Sequence, residues 1–213
     1  MSIRAVILDY GEVISKPANP AVHREMSQIA AMPEGLFDKL YWDLRLDFDA
    51  GILNSRAYFE KIAELAGRSF TSEQLDQLAE DDARMWMDVN EPMLVWAGEL
   101  KQAGLLTAVL SNIGDGVLEA MRRGFPWLAQ FDKLIWSCEI GIVKPDAAIY
   151  LHTVDALGVR PGEALFIDNL PRNVAGAEAA GLEGIVFEDI EQLSRELAGR
   201  GFGLPLPCNG VAR

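Results

Sequence analysis

Short runs of consecutive apolar residues, each ending on a polar side chain, dominate the pattern of this chain. Three of them end on a side chain that can react: residues 5–8 before Asp9, residues 105–110 before Ser111, and residues 164–167 before Asp168. Unbroken apolar runs bounded by turn residues are typical of strands buried on both faces of a parallel sheet. Ligands of open sheets of this kind bind beyond the carboxyl ends of the strands. We therefore expect two carboxylates and a hydroxyl to meet at one edge of a sheet.

After Pro92 the pattern alternates between strand-like and helix-like segments. The predicted strands end at Ser111, Ser137, Asp168 and Phe187, and the predicted helices span about 93–104, 116–123, 145–158, a stretch ending at 181, and 189–198. With the first run, this gives five strands alternating with helices, which predicts an α/β fold with a doubly wound parallel (Rossmann-like) sheet. The tail, residues 199–213, is rich in Gly and Pro and is predicted to be irregular.

Residues 17–90 show helical spacing without strand runs. Four helices are expected there, over about 21–32, 36–46 and 55–66, and after a capping-box pattern formed by Thr71 and Gln74. This segment lies between the first and second strands. We therefore predict a core domain from residues 1–16 and 91–213, with residues 17–90 inserted as an all-α cap. A cap at that point covers the reactive edge, excludes water and shapes a substrate pocket.

Composition narrows the range of partners. Half of the 213 residues are hydrophobic, and the net charge of −13 argues against nucleic acid or an anionic membrane, which both select basic surfaces. An anionic substrate would need positive charge inside its pocket. Cys138 and Cys208 are the only cysteines, and neither a leader-like start nor a bilayer-length apolar run is present. We expect a cytoplasmic protein with free thiols that acts on a small molecule as a monomer or homodimer.

Four segments in order along the chain resemble the four motifs of the haloacid dehalogenase superfamily. They are residues 6–13 (VILDYGEV), residues 109–112 (VLSN), residues 141–146 (GIVKPD), and residues 166–169 (FIDN) together with Asn173. Each segment lies at or just beyond a predicted strand end. The resemblance covers the chain up to the tail, including the helical insertion between the first two motifs.

The resemblance implies a hydrolase that transfers a phosphoryl group to an aspartate. Asp9 would be the nucleophile and form an acyl phosphate, which divides one difficult displacement into two easier ones. Ser111 and Asn112 would bind the phosphoryl oxygens, and Lys144 would neutralise charge on Asp9 and on the phosphate. The substrate would be a small phosphorylated metabolite such as a sugar phosphate.

The resemblance also implies a magnesium cofactor. Its ligands would be Asp9, the main-chain carbonyl of Gly11, and Asp168, with water in the remaining octahedral positions. At Asn169 the fourth motif often has a second acid, so the chain has one fewer negative charge for the cation.

Gly11 is the other departure from the family pattern. Most phosphatases of the superfamily have an aspartate here, which protonates the leaving group and then activates water. Glu12 follows one residue later, where its side chain is expected to point elsewhere unless the turn is altered. Activity could then be slow, could rely on substrates with good leaving groups, or could take the proton from Glu12 or the lid. The glucose-1-phosphate phosphatase branch resembles this chain in having Gly at this position, which implies that the change need not abolish phosphatase function.

Two other functions stay open. The 2-haloacid dehalogenases of the superfamily also lack this acid and need no metal, but they typically have an aromatic residue at the position of Gly11 and lack the acid supplied by Asp168. The other is a catalytically weak homologue that only binds a ligand. Metal dependence and the release of phosphate or halide distinguish the two enzymes, and a binding protein would show affinity without turnover.

Cap residues would select the substrate. Arg45 or Arg56 could contact a sugar hydroxyl or a phosphate, although the pattern favours a solvated helix face for both. The aromatic residues are expected in the core rather than against the substrate: Phe37, Tyr41, Trp42, Trp86 and Trp96.

Overall fold

Five parallel strands form the sheet that the apolar runs predict. In the computed structural model, which describes residues 2–209, the strands are β1 (Ala5–Leu8), β2 (Leu106–Ser111), β3 (Lys133–Trp136), β4 (Ala164–Asp168) and β5 (Glu183–Val186). Their order across the sheet is β3-β2-β1-β4-β5, and all neighbouring strands pair in parallel. The prediction of a doubly wound α/β fold is confirmed.

Five α-helices lie within residues 17–90, between β1 and the helix that precedes β2. They are α1 (Pro20–Ile29), α2 (Glu34–Asp43), α3 (Arg45–Asp49), α4 (Ser55–Leu65) and α5 (Ser72–Met85). The sequence predicts one helix over 36–46, whereas the structure divides this stretch at Leu44 (φ −95°, ψ −5°) and continues it to Asp49. The predicted capping box of α5 is present, with both Thr71–Gln74 hydrogen bonds formed.

Six further helices surround the sheet within residues 2–209. They are α6 (Glu91–Gln102), α7 (Asp115–Gly124), the short α8 (Ser137–Ile140), α9 (Ala147–Leu157), α10 (Pro171–Ala179) and α11 (Ile190–Arg200). The tail after α11 has no regular structure up to residue 209, and the Trp96 indole N–H donates to the Pro205 carbonyl at 2.8 Å. Residues 210–213 of the predicted irregular tail lie outside the described residues. Within residues 2–209, no helix combines the length and apolar character needed to cross a bilayer.

Alternate residues of β1 belong to two different cores, as burial of a sheet on both faces requires. Val6 and Leu8 join a cluster with residues of α6, α7 and α11, whereas Ala5 and Ile7 join a cluster with residues of α9 and α10. All four side chains are fully buried. This two-sided burial explains why the strand is an unbroken apolar run in the sequence.

The register of the strands places the predicted reactive residues at one edge. Leu8 is opposite Val109 of β2 on one side and Ile167 of β4 on the other. Asp9, one residue beyond β1, is therefore level with the ends of both neighbours, and its N–H donates to the Ile167 carbonyl at 2.9 Å. The chain winds to opposite sides of β1, so this edge is the switch point where open sheets bind ligands.

The helical segment has a hydrophobic core of its own. Its largest buried side chains are aromatic, namely Phe37, Tyr41, Phe48, Tyr58 and Phe59. The two connections to the rest of the chain run side by side, since Ser15 and Val89 form an antiparallel bridge. These connections lie near the predicted boundaries at 17 and 90, and the division into a core and a cap at those residues stays a prediction.

Close contacts join the helical segment to the sheet-bearing part. The N–H and hydroxyl of Ser55 both donate to Asp115 Oδ1, at 2.8 and 2.6 Å. A Cβ atom built on Gly114 would lie 2.1 Å from the Phe48 ring. Only a residue without a side chain permits this approach.

Gly114→Ala is therefore expected to lower the free energy of unfolding by about 1–3 kcal/mol, the usual cost of overpacking a close contact. The matched control is Gly98→Ala, because Gly98 lies within α6 and a Cβ there meets nothing within 4 Å. That change should raise the free energy by about 0.5–1 kcal/mol through helix propensity. Urea unfolding followed by circular dichroism measures both, and equal effects would contradict the packing argument.

Candidate active site

Lys144 joins the two predicted carboxylates at the edge of the sheet. Its ammonium nitrogen lies 2.8 Å from Asp9 Oδ1 and 2.7 Å from Asp168 Oδ2, and it also donates to the Leu110 carbonyl at 3.1 Å. All three charged residues are buried. Side chains that are distant in sequence therefore form one ionic cluster where the strands end.

Asp9 has one engaged and one available oxygen. Oδ1 accepts the Tyr10 N–H at 2.7 Å in addition to Lys144, whereas Oδ2 accepts no hydrogen bond from any N–H group of the described residues. Burial raises the pKa of Asp9 to about 7; nearby Lys144 lowers it, and Asp168 adds to the increase. The carboxylate at this position therefore depends on nearby positive charge for its ionisation.

Asn112 fixes the loop that carries Lys144. Its Oδ1 accepts the Lys144 N–H at 2.8 Å, and its Nδ2 donates to the Lys144 carbonyl at 3.0 Å. Burial alone would lower the pKa of Lys144, but Asp9 and Asp168 outweigh burial and raise it above the ordinary value. The two carboxylates therefore favour the charged form of Lys144. The substrate-binding roles predicted for Asn112 and Lys144 stay predictions.

The Ser111 hydroxyl is only weakly bonded within the protein. It lies at the end of β2, is buried, and makes one long contact of 3.4 Å with the Asn112 carbonyl. A hydroxyl in this position can turn toward a bound oxyanion at little cost, as its predicted role requires.

Asp168 is held by several N–H donors. Its Oδ1 accepts the Leu170 N–H at 2.8 Å, and its Oδ2 accepts Lys144. The Asn173 amide contacts both oxygens, at 3.1 and 3.0 Å. The Asn173 Oδ1 atom is buried and has no hydrogen-bond partner among the described residues. An oxygen acceptor thus lies beside the ionic cluster without a donor.

In the turn after Asp9, the position with positive φ is occupied by Glu12 rather than by the neighbouring Gly11. Gly11 (φ −61°, ψ 121°) and Glu12 (φ 59°, ψ 8°) adopt a type II turn, in which the second position normally favours Gly or Asn. The Glu12 N–H donates to the Ser15 hydroxyl at 3.0 Å, and its carboxylate accepts the Asn169 amide at 3.1 Å. Glu12 is exposed at the rim of the site.

A cavity of about 740 Å³ opens over this edge, and both parts of the chain line it. The sheet-bearing part contributes every predicted site residue except Asp168, and the helical segment contributes Trp42, Arg45, Leu46, Asp49 and Trp86. Trp86 lies over Gly11, with Cζ3 3.8 Å from the position of a Cβ on that glycine.

Two expectations for the cap residues are wrong. Arg45 is largely enclosed rather than solvated: its side chain is 11% exposed, and it pairs with Asp49 at 2.9 Å and with Asp82 at 3.0 Å. Two of the aromatic residues expected in the core, Trp42 and Trp86, line the cavity instead. Trp42 is 50% exposed, and Trp86 is half-buried and also packs against two of the hydrophobic clusters. Arg56 is exposed, as expected, and it forms an ion pair with Glu60. One sequence signal could have identified these pocket residues together: positions 42, 45, 46 and 49 have the spacing of a single helical face.

Comparison with known proteins assigns the chain to a family. A family model described as haloacid dehalogenase-like hydrolase matches residues 3–181. The chain belongs to this family of hydrolases. Mouse bifunctional epoxide hydrolase 2 is 26% identical over 98% of the chain, and the chain spans only 42% of that relative. (S)-2-haloacid dehalogenase 4A of Burkholderia cepacia is 26% identical over 86% of the chain and 82% of the relative.

Solved structures show the same fold. A haloacid dehalogenase family enzyme of Bacteroides thetaiotaomicron, described as a complex with magnesium and inorganic phosphate, superposes with a TM-score of 0.75. It is 19% identical, and the match covers 88% of this hydrolase and 95% of that chain. At this identity the likeness concerns the fold alone.

The oxygen donors of the site fit a hard divalent cation such as Mg²⁺. Asp9 Oδ2 has no N–H donor, and Asn173 Oδ1 is buried without a partner, both within the described residues. The Gly11 residue lines the same cavity. Asp9, the Gly11 carbonyl and Asp168 would hold the ion, with Asp168 shared between the ion and its present donors. No group of three His, Cys, Asp or Glu side chains suited to a metal occurs within residues 2–209.

Proposed function

We propose that this hydrolase cleaves small phosphomonoesters, including sugar phosphates, in a Mg²⁺-dependent reaction through an aspartyl phosphate on Asp9. The supporting observation is the buried Asp9 carboxylate, whose Oδ1 is held by Lys144 while Oδ2 has no N–H donor among the described residues. An oxygen fixed in this way at the base of a cavity is suited to attack phosphorus.

The charge of the cluster supports a metal. Two carboxylates and one ammonium give a net charge of −1, and a phosphate dianion would add further negative charge to a buried site. A Mg²⁺ ion held by Asp9, the Gly11 carbonyl and Asp168 would supply positive charge that offsets this and would polarise the phosphoryl oxygens. Lys144 holds Asp9 in place, Ser111 donates to a phosphoryl oxygen, and Asn112 keeps Lys144 positioned.

Dehalogenation of a 2-haloacid is the second candidate. It is favoured by the absence of an acid at position 11, where Gly11 stands in place of the phosphatase aspartate. Likeness to the Burkholderia dehalogenase extends over most of both chains. The same Asp9 oxygen would then attack carbon and release halide.

A panel of phosphomonoesters and 2-haloacids separates the two candidates. The purified protein is incubated with each compound in Mg²⁺ and in excess EDTA, and phosphate and halide are measured. We expect phosphate release that EDTA abolishes and Mg²⁺ restores. Halide release that EDTA does not affect would support the dehalogenase instead, and phosphate release unaffected by EDTA would contradict the metal.

A further inference from the structure

A phosphatase acting on alkyl esters needs a proton donor, and Gly11 cannot be one. The cavity is lined by three carboxyl residues: Asp9, Glu12 and Asp49. Asp9 is the proposed nucleophile. Glu12 is exposed at the rim, where its carboxylate is bonded to Asn169. Asp49 alone is both enclosed and uncommitted to the ionic cluster of Lys144.

Resting on the proposed phosphatase function, we infer that Asp49, supplied by the helical segment, is the general acid and base that replaces the missing side chain at position 11. The inference depends on where its backbone is held, on the free oxygen of its carboxyl group, and on its surroundings.

The backbone of Asp49 is fixed to the edge of the sheet. Its carbonyl accepts the Ser137 hydroxyl at 2.5 Å, and the same hydroxyl accepts the Ile113 N–H at 2.9 Å. Ile113 follows Ser111 by two residues. A short hydrogen-bonded path therefore ties Asp49 to the loop that carries Ser111, so its position does not depend on the helical segment alone.

The carboxyl group has one oriented and one available oxygen. Asp49 Oδ1 accepts the Arg45 Nε–H at 2.9 Å, whereas Oδ2 accepts no hydrogen bond from the described residues. The side chain is 11% exposed, and the residue lines the cavity. Arg45 thus orients the group and leaves an oxygen that can carry a proton to or from a ligand.

The surroundings of Asp49 favour exchange of a proton near neutral pH. Burial raises its pKa to about 6, with Arg45 opposing the increase and Asp82 adding to it, while Lys144 has a smaller lowering effect. The other titratable groups around it are Tyr41 of α2, Tyr58 of α4 and Cys138 of α8. Carboxyls with a raised pKa in a cleft are suited to acid–base catalysis.

The reaction balances in two steps. In the first, Asp9 Oδ2 bonds to phosphorus as the phosphorus–oxygen bond to the leaving group breaks, and the Asp49 proton moves to the leaving oxygen, which departs as an alcohol. In the second, a water oxygen bonds to phosphorus and gives a proton to the Asp49 carboxylate, and the bond from phosphorus to Asp9 breaks. The sum is ester plus water to alcohol plus phosphate.

The leaving group provides the first test. Asp49→Asn should slow release of the leaving group from alkyl phosphates by about 10²–10⁴-fold, the usual effect of losing a general acid. An aryl phosphate with a highly acidic phenol leaves without protonation, so the burst of phenol release in a single turnover should change little. Equal slowing of both substrates, or of neither, would overturn the inference.

The pH dependence provides the second test, with Asp82→Asn as the matched control. Asp82 bonds to Arg45 and is buried, but it does not line the cavity. The rate for an alkyl phosphate should fall as the pH rises above the pKa of Asp49. Asp82→Asn should shift this fall to lower pH, because a group that raises this pKa is removed, and Asp49→Asn should abolish it. Titration of the substrate phosphate and of Asp9 is common to all three proteins and cancels in the comparison.

Two further variants address Glu12 and folding. Glu12→Gln tests the rival hypothesis that Glu12 is the general acid. Selective loss of alkyl phosphate hydrolysis in Glu12→Gln, and not in Asp49→Asn, would overturn the role of Asp49. Gly11→Asp introduces an acid where a Cβ fits, and it should restore alkyl phosphate hydrolysis to Asp49→Asn. If the unmodified protein hydrolyses no phosphomonoester, the proposed function is wrong. If it hydrolyses phosphomonoesters but the variants do not behave as stated, only the role of Asp49 is wrong.

Discussion

Asp9→Asn is expected to reduce turnover by roughly 10⁴-fold or more, because the amide cannot attack phosphorus and no other carboxylate is placed to replace it. The fold should be retained. The substituted oxygen can still accept the Tyr10 N–H, and Lys144 keeps its 2.7 Å contact with Asp168. Initial rates with Mg²⁺ and a phosphomonoester measure the loss, and circular dichroism verifies the fold.

A matched control for this variant is Asp155→Asn, which removes the same charge from an exposed position of α9 and should leave the rate unchanged. Acid quenching during turnover should also trap a phosphoryl group on the unmodified protein and none on Asp9→Asn. Undiminished hydrolysis by Asp9→Asn would end the assignment of Asp9 as nucleophile.

The sequence predicted the sheet and the gathering of the charged residues well, for a physical reason. A strand buried on both faces has no polar alternation, so residues 5–8 and 164–167 stand out, and parallel pairing places their carboxyl ends at one edge. Lys144 is different, since its contact with Asp9 and Asp168 depends on a loop. Its place in the cluster came from the order of the four motifs rather than from periodicity.

Arg45 shows what local pattern cannot reveal. A charged residue beside Trp42 on a helix is consistent with a solvated face, and the burial of Arg45 depends on Asp82, 37 residues away in sequence. The bend at Leu44, which separates α2 from α3, has no signal in the apolar spacing either. The cap residues that line the cavity were therefore only partly predictable.

Glu12 shows a second limit. The second central position of a type II turn favours Gly, so local preference would place Gly11 at that position. In the structure Gly11 occupies the first central position and Glu12 the second. The observed turn is supported by hydrogen bonds from Glu12 to Ser15 and from Asn169 to Glu12, and Asn169 follows β4, the strand that pairs with β1. A contact that spans 157 residues cannot be deduced from a local preference.

Lys144→Met is expected to be the most destabilising of these substitutions, lowering the free energy of unfolding at neutral pH by about 3–5 kcal/mol in metal-free buffer. The methionine fills a similar volume but leaves two buried carboxylates beside each other without their cation. Turnover should also fall by about 10²–10³-fold, since a fixed charge that stabilises the phosphoryl group is lost. The control is Lys101→Met, whose exposed pair with Asp132 should contribute less than about 1 kcal/mol.

The pH dependence of the Lys144→Met defect follows from the sign of the Asp9 shift. The pKa of Asp9 is raised to about 7 in the folded protein from 3.8, so its favourable contribution is present below pH 3.8 and is lost as the pH rises through about 7. Lys144 lowers the pKa of Asp9. Without Lys144 this pKa is higher, so the loss of the Asp9 contribution to the free energy of unfolding extends to higher pH and becomes larger. The deficit of the variant should therefore shrink as the pH falls, and Asp9→Asn in the same chain should recover part of it at neutral pH. Urea unfolding from pH 4 to pH 8 tests both, and a deficit that is independent of pH and of Asp9 would show that Lys144 stabilises the fold by packing rather than by charge.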